Sequence, residues 1–146
     1  MSDTEKHVLR ALETYKEAVF AKDAERLMQL YAPDVRVFDM WGTWSCEGAA
    51  AWRVTVEGWL SSLGTERVRV TFDDVQVVAA QGFAAVSAIA TYTAISAQGL
   101  TLRSLQNRLS WVLRTSGHVL RIVHEHTSAP IGFEDTKAIL KRDITA

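Results

Sequence analysis

Asp39 lies in the run Val35-Arg36-Val37-Phe38-Asp39-Met40-Trp41-Gly42-Thr43-Trp44, where strand alternation puts it on one face with Val35, Val37 and Trp41. That face is apolar. A carboxylate withdrawn from water there has its charged form disfavoured, so its pKa rises and it becomes a proton acceptor suited to neutral pH. Tyr15 falls on the apolar stripe of a helix. Asn107 shares a strand face with Leu105, Leu109, Trp111 and Leu113, with Arg108 on the outside. On the last strand Leu120 and Ile122 have the parity of His124, His126 and Ser128, which predicts that both histidines look inward while Glu125 and Thr127 look out. Asp39, Tyr15, Asn107 and His124 are the catalytic candidates. The carboxylate would take a proton from carbon next to a carbonyl or from a leaving position, and the phenol and amide would hold the oxygen.

Each residue has a plainer use. Tyr15 can be a core aromatic whose hydroxyl finds a partner, Asp39 can sit at a sheet edge satisfied by backbone N–H groups or Arg36, and the histidines can be hydrogen-bonded core residues. Asp39, His124 and His126 together could also ligate a transition metal, although only the His-x-His pair has metal-like spacing and no metal is expected. Cys46 stands next to Glu47 with no activating base in view, so an inert thiol is expected.

The elements that must position these groups are legible from periodicity. Val8, Leu9, Leu12, Tyr15, Val19 and Phe20 recur at helical spacing. Asp23 can cap a short second helix that carries Leu27, Leu30 and Tyr31 and stops at Pro33, with the first strand following at Asp34. Trp52, Val56, Trp59, Leu60 and Leu63 form the stripe of a third helix ending at Gly64. From Glu66 the pattern becomes a meander of long antiparallel strands, about 83 to 97, 100 to 114 and 118 to 128, separated by Gln81-Gly82, Gln98-Gly99 and Thr115-Ser116-Gly117. The alternation slips at Asp73-Asp74, as at a bulge. A short terminal helix is expected over 134 to 142. Helices on one face of a bent sheet leave a cone, and Tyr31, Trp41, Trp52, Val56, Trp59, Tyr92, Trp111 and His126 are the candidate substrate-binding wall inside it.

A chain of 146 residues, 48% hydrophobic, with a formal net charge of -1, has the size of one domain and no global attraction to nucleic acid or anionic membranes. The single cysteine excludes an internal disulfide framework. With no apolar leader or spanning segment, a cytoplasmic protein is expected.

The order of elements, together with Ala21-Lys22-Asp23-Ala24-Glu25-Arg26-Leu27-Met28-Gln29-Leu30-Tyr31-Ala32-Pro33-Asp34-Val35, resembles the nuclear-transport-factor-2-like superfamily that includes SnoaL-like polyketide cyclases and ketosteroid isomerase. The closing run Trp111 to Arg114 and Ile122 to Pro130 is similar to a SnoaL-like branch of bacterial proteins. The resemblance implies an α+β fold, cone-shaped, with three N-terminal helices packed on a strongly curved mixed or antiparallel sheet. It implies one SnoaL-like domain over 1–146, with a core of 5–130 and a C-terminal extension of 131–146, and no cofactor. By position, Tyr15 matches the isomerase's first-helix tyrosine and Asp39 its proton-shuttling aspartate. The isomerase's protonated acid falls on Asn107 when aligned from the preceding turn, and nearer Arg108 or Leu109 from the following one, so no second acid is expected in the site. The expected function is binding of a small hydrophobic molecule, with isomerase-, cyclase- or dehydratase-type acid/base chemistry on an apolar ring substrate. The alternative is a non-catalytic ligand-binding or dimerisation module. A homodimer is expected in either case, through an outer sheet face carrying Val112, Val123, Thr91, Thr93 and Ile95.

Overall fold

The computed structural model describes residues 1–143. Three helices precede most of the sheet: α1 (Asp3–Ala21), α2 (Ala24–Met28) and α3 (Ala49–Ser62). The strands are β1 (Tyr31–Phe38), β2 (Cys46–Glu47), β3 (Arg67–Ala80), β4 (Phe83–Ile95), β5 (Thr101–Ser116) and β6 (Val119–Ser128). They form one sheet in the order β2-β1-β6-β5-β4-β3. Its two edges do not meet, so the sheet is curled and open. The α+β reading of the sequence holds, with one refinement: β1 runs parallel to β6, which makes the sheet mixed.

Local chemistry explains the helices. Ser2 caps α1 by accepting from Glu5 N at 3.1 Å, which satisfies one of the N–H groups that the first turn leaves free. Lys22 closes α1 in the left-handed region at φ 55, and Asp23 N bonds back to Ala18 O. Asp23 then caps α2 through Arg26 N at 3.0 Å. Pro33 does not end that helix as the sequence predicts. The helix stops at Met28, and Pro33 lies within β1, at a register irregularity between Tyr31 and Arg36 where its missing N–H leaves no ladder bond unmet.

The apolar stripes Val8, Leu12, Val19 and Trp52, Val56, Leu60 pack with Val35, Val37, Leu109, Trp111, Leu113 and Ile122 in one core. The predicted slip in β3 is present: Asp73 pairs with Ile89 but Gln76 with Ser87, and Asp74 takes φ 52. The extra residue bends the strand. Since a left-handed φ disfavours a branched side chain, Asp74→Val is expected to cost about 1–2 kcal/mol of stability by urea unfolding, and Asp74→Gly next to nothing.

The expected terminal helix over 134 to 142 is absent. Residues 130–139 instead form a compact loop closed by an Ile131–Ala138 bridge and by Gly132 N to Lys137 O at 2.8 Å. The segment after it pairs with β5, with Gln106 N donating to Leu140 O at 2.7 Å and Arg142 N to Gln106 Oε1 at 2.6 Å. β6 pairs with β5 only as far as Arg108, so the returning tail meets backbone groups that β6 leaves open, which outweighs the weak helical propensity of a short polar segment.

Candidate functional site

The concave side of the sheet and the helices enclose a cavity of about 840 Å³. α1 contributes Tyr15, the α2–β1 junction Leu27 and Tyr31, and α3 Trp52, Val56 and Trp59. The strands contribute Tyr92 from β4, Asn107 from β5, and Glu125 and Thr127 from β6, while Asp39 stands just beyond the end of β1. The wall is mainly apolar and aromatic, with a few converging polar groups, the usual make-up of a small-molecule site.

The polar groups form three linked sets. Tyr15 and Tyr92 share a hydroxyl–hydroxyl hydrogen bond of 3.0 Å. Glu125 Oε1 accepts from the Tyr31 hydroxyl at 2.6 Å and from Trp111 Nε1 at 2.9 Å. Thr127 donates to Asp39 Oδ1 at 3.0 Å and accepts from Met40 N at 2.9 Å, while Trp41 N reaches Asp39 Oδ2 at 3.4 Å. Asn107 is 7% exposed and faces inward as its strand parity predicts. Its Nδ2 donates to Met40 Sδ at 3.4 Å, and its Oδ1 has no partner. A thioether is a weak acceptor, so a ligand oxygen would be a better partner for that amide. Trp52 Nε1 is likewise buried without a hydrogen bond.

Burial sets the protonation states. Desolvation raises the pKa of Asp39, and the Thr127 hydroxyl and the Trp41 and Met40 N–H groups only partly offset it. Glu125, 2% exposed, is pushed up to about 7, again mainly by burial, with its hydrogen bonds from Tyr31 and Trp111 acting in opposition and the charge of Asp39 adding to the rise. Burial also raises Tyr15, Tyr31 and Tyr92, so all three phenols keep their protons at neutral pH. The site therefore holds two carboxyl groups of different strength beside neutral phenols, an arrangement in which one can accept a proton while the other carries one.

His124 and His126 do not face the cavity, contrary to the sequence expectation. β5 and β6 change register between Val112, opposite His124, and Leu113, opposite Ile122. Val123 is thus an extra residue, and it reverses the parity that the histidines would have shared with Ile122. Glu125 and Thr127 are turned inward instead, so the site does hold a second acid. His124 Nδ1 lies 2.8 Å from Arg36 O on the outer side, and both imidazoles stack edge-on against Phe38, with centroids 5.1 and 5.7 Å away. They cannot complete a metal set with Asp39; among the described residues no three His, Cys, Asp or Glu side chains converge as one.

Tyr15 is bonded to Tyr92 and not to Asp39. Trp111 is fully buried behind Glu125 and does not line the cavity. Trp44 is 97% exposed and takes no part in the wall, while Trp41, 56% exposed, lies at its edge. The cone is open and not plugged by Trp41, Trp52 and Trp111. Burial and the neighbouring Glu47 raise the Cys46 thiol, which stays protonated at neutral pH. The one sequence signal for Glu125 is indirect: Trp111 points into the core, and its indole N–H requires an acceptor there.

The match to a family model for the SnoaL-like domain runs over residues 8–132. The chain belongs to the SnoaL-like domain family, and its fold is the one seen in an NTF2-like protein. It is similar to an NTF2-like protein of unknown function from Pseudomonas putida, with TM-score 0.83 and 21% identity over 96% of each chain. It is also similar to Aln2 from a Streptomyces species, with TM-score 0.76 and 18% identity over 88% of this chain and 91% of that one. A third similar structure is an uncharacterized protein with a cystatin-like fold from Caulobacter vibrioides, with TM-score 0.72 and 15% identity over 87% and 89% of the two chains. No curated protein matches the chain. No helix among the described residues is long and apolar enough to cross a membrane.

Proposed function

We propose that the cone binds a small apolar ring compound and moves a proton on it. Asp39 is the acceptor, and the Tyr15–Tyr92 pair with Asn107 receives the oxygen on which charge develops. The observation that carries this reading is a desolvated carboxylate on the wall of a cavity of about 840 Å³, with a buried phenol pair on the same wall. In a water-poor site such donors stabilise developing charge without having to reorganise. Glu125, coupled to Asp39 through their mutual repulsion, is the group able to return a proton. Isomerisation, cyclisation and dehydration all use these same parts.

Carbon-13 NMR titration of the aspartate side chains tests the central claim. Asp39 should titrate above an ordinary aspartate, Thr127→Val should shift it further up because a donor to the charged form is lost, and Tyr15→Phe should hardly move it. An ordinary titration that ignores the loss of the Thr127 hydroxyl would remove Asp39 as the base.

A homodimer formed through the outer sheet face is part of this reading. Phe83 and Val112 are exposed there, beside the half-buried Thr91 and Thr93, whereas Ile95 is buried in the chain itself. Light scattering at micromolar concentration should give twice the mass of one chain. A monomer would count against it.

A further inference from the structure

The cavity is electrically polarised along its length. Its lining contains four charged side chains: the carboxyls of Asp39 and Glu125, and the cations of Arg103 and Lys141. The acids sit at one end, for Asp39 is bonded to Thr127, and both Thr127 and Glu125 pair across to β5 at Leu109 and Trp111. The bases lie toward the rim: Lys141 is held beside Gln106, three residues before Leu109 and roughly 10 Å along β5, and Arg103 is six residues before Leu109, roughly 20 Å along. Arg103 is already committed to Glu66, at 2.7 Å. Lys141 makes no ion pair or hydrogen bond through its ammonium among the described residues, and it is exposed at the rim.

Its position is held from both sides. The hydrogen bonds from Gln106 N to Leu140 O and from Arg142 N to Gln106 Oε1 bracket it against β5, and Leu140 beside it also lines the cavity. The loop that delivers this segment is tight: a side chain at Gly132 would collide with the Asp135 carboxylate, which itself accepts from Lys137 N at 3.0 Å. A ring compound with an anionic substituent can enter in only one sense. At the inner end its charge would meet Asp39 and Glu125 in a desolvated setting, where like charges repel strongly; at the rim it meets an ammonium that no described residue pairs.

We infer that the ligand of this site is an aromatic or fused-ring acid, whose carboxylate or comparable anion is held at the rim by Lys141 on the returning C-terminal segment while its ring system points toward Asp39. This inference rests on the cavity being a ligand site, and it adds the charge and orientation of what is bound.

Two fluorescent probes with the same ring system separate the claims: anilinonaphthalene sulfonate, which carries an anion, and phenylnaphthylamine, which does not. Both should bind the wild-type protein and compete with one another. Lys141→Met should weaken the sulfonate about five-fold, the effect of one partly exposed ion pair, and leave the neutral probe within about two-fold of wild type. If both probes weaken together, or if neither changes, the assignment to Lys141 is overturned while the cavity stands. If the neutral probe does not bind the wild type at all, the cavity reading falls and this inference falls with it.

Discussion

Asp39→Asn should slow the elimination of nitrobenzisoxazole by about 10²- to 10⁴-fold, the range by which a positioned general base accelerates proton transfer. The probe is a flat apolar ring. A base removes the C–H proton of its isoxazole ring, the N–O bond breaks, and the charge emerges on a phenolate oxygen, so the reaction asks only for a desolvated carboxylate and donors to the new oxyanion. Asparagine keeps the shape and can still accept from Thr127 at the Oδ1 position, so the fold should survive the change. The wild-type rate should rise with pH as Asp39, raised by burial, gives up its proton, and then level off. Tyr15→Phe and Tyr92→Phe should each lower the rate less than the asparagine variant does, because the remaining phenol of the pair still donates. A wild-type rate no better than that of acetate in water would leave Asp39 a structural residue.

Glu125 should govern how stability responds to pH. Its folded-state pKa is about 7 against an ordinary value of 4.5, so between those pH values the folded chain binds the proton more tightly than the unfolded chain does. Stability from this group is then fully present below about 4.5 and is lost as pH rises through about 7, with a fall of at most about 3 kcal/mol. Denaturant unfolding at intervals from acid to mildly alkaline pH should show the decline in wild type and its removal in Glu125→Gln, which keeps an oxygen for Tyr31 and Trp111 but cannot ionise. Glu125→Ala should instead cost roughly 3–5 kcal/mol, because it strands two buried donors and opens a hole. A wild-type curve that runs flat through neutrality would mean that Glu125 is not held in the apolar setting described above.

How far the sequence could be read depends on the range over which each feature is decided. The first and third helices were legible because stripes such as Val8-Leu12-Tyr15 and Trp52-Val56-Leu60 are written in neighbouring turns. The Asp73-Asp74 bulge and the inward side of Asn107 were legible for the same reason, since an uninterrupted alternation carries its own parity. Asp39 could be placed on the apolar face from the residues on either side of it.

What the sequence alone determined, therefore, is the three helices and the long strands, the cone they make and one acid on its wall. The partners of that wall came from pairings between distant segments. Tyr15 meets Tyr92 across 77 residues and Tyr31 meets Glu125 across 94. One extra residue at Val123 exchanged two histidines for a glutamate and a threonine, and the open backbone of β5 drew the C-terminal segment out of a helix and set Lys141 at the rim. Strand register and edge pairing are chosen by whole-sheet hydrogen bonding and by the burial of Trp111 and Ile122, energies that no local window of sequence contains.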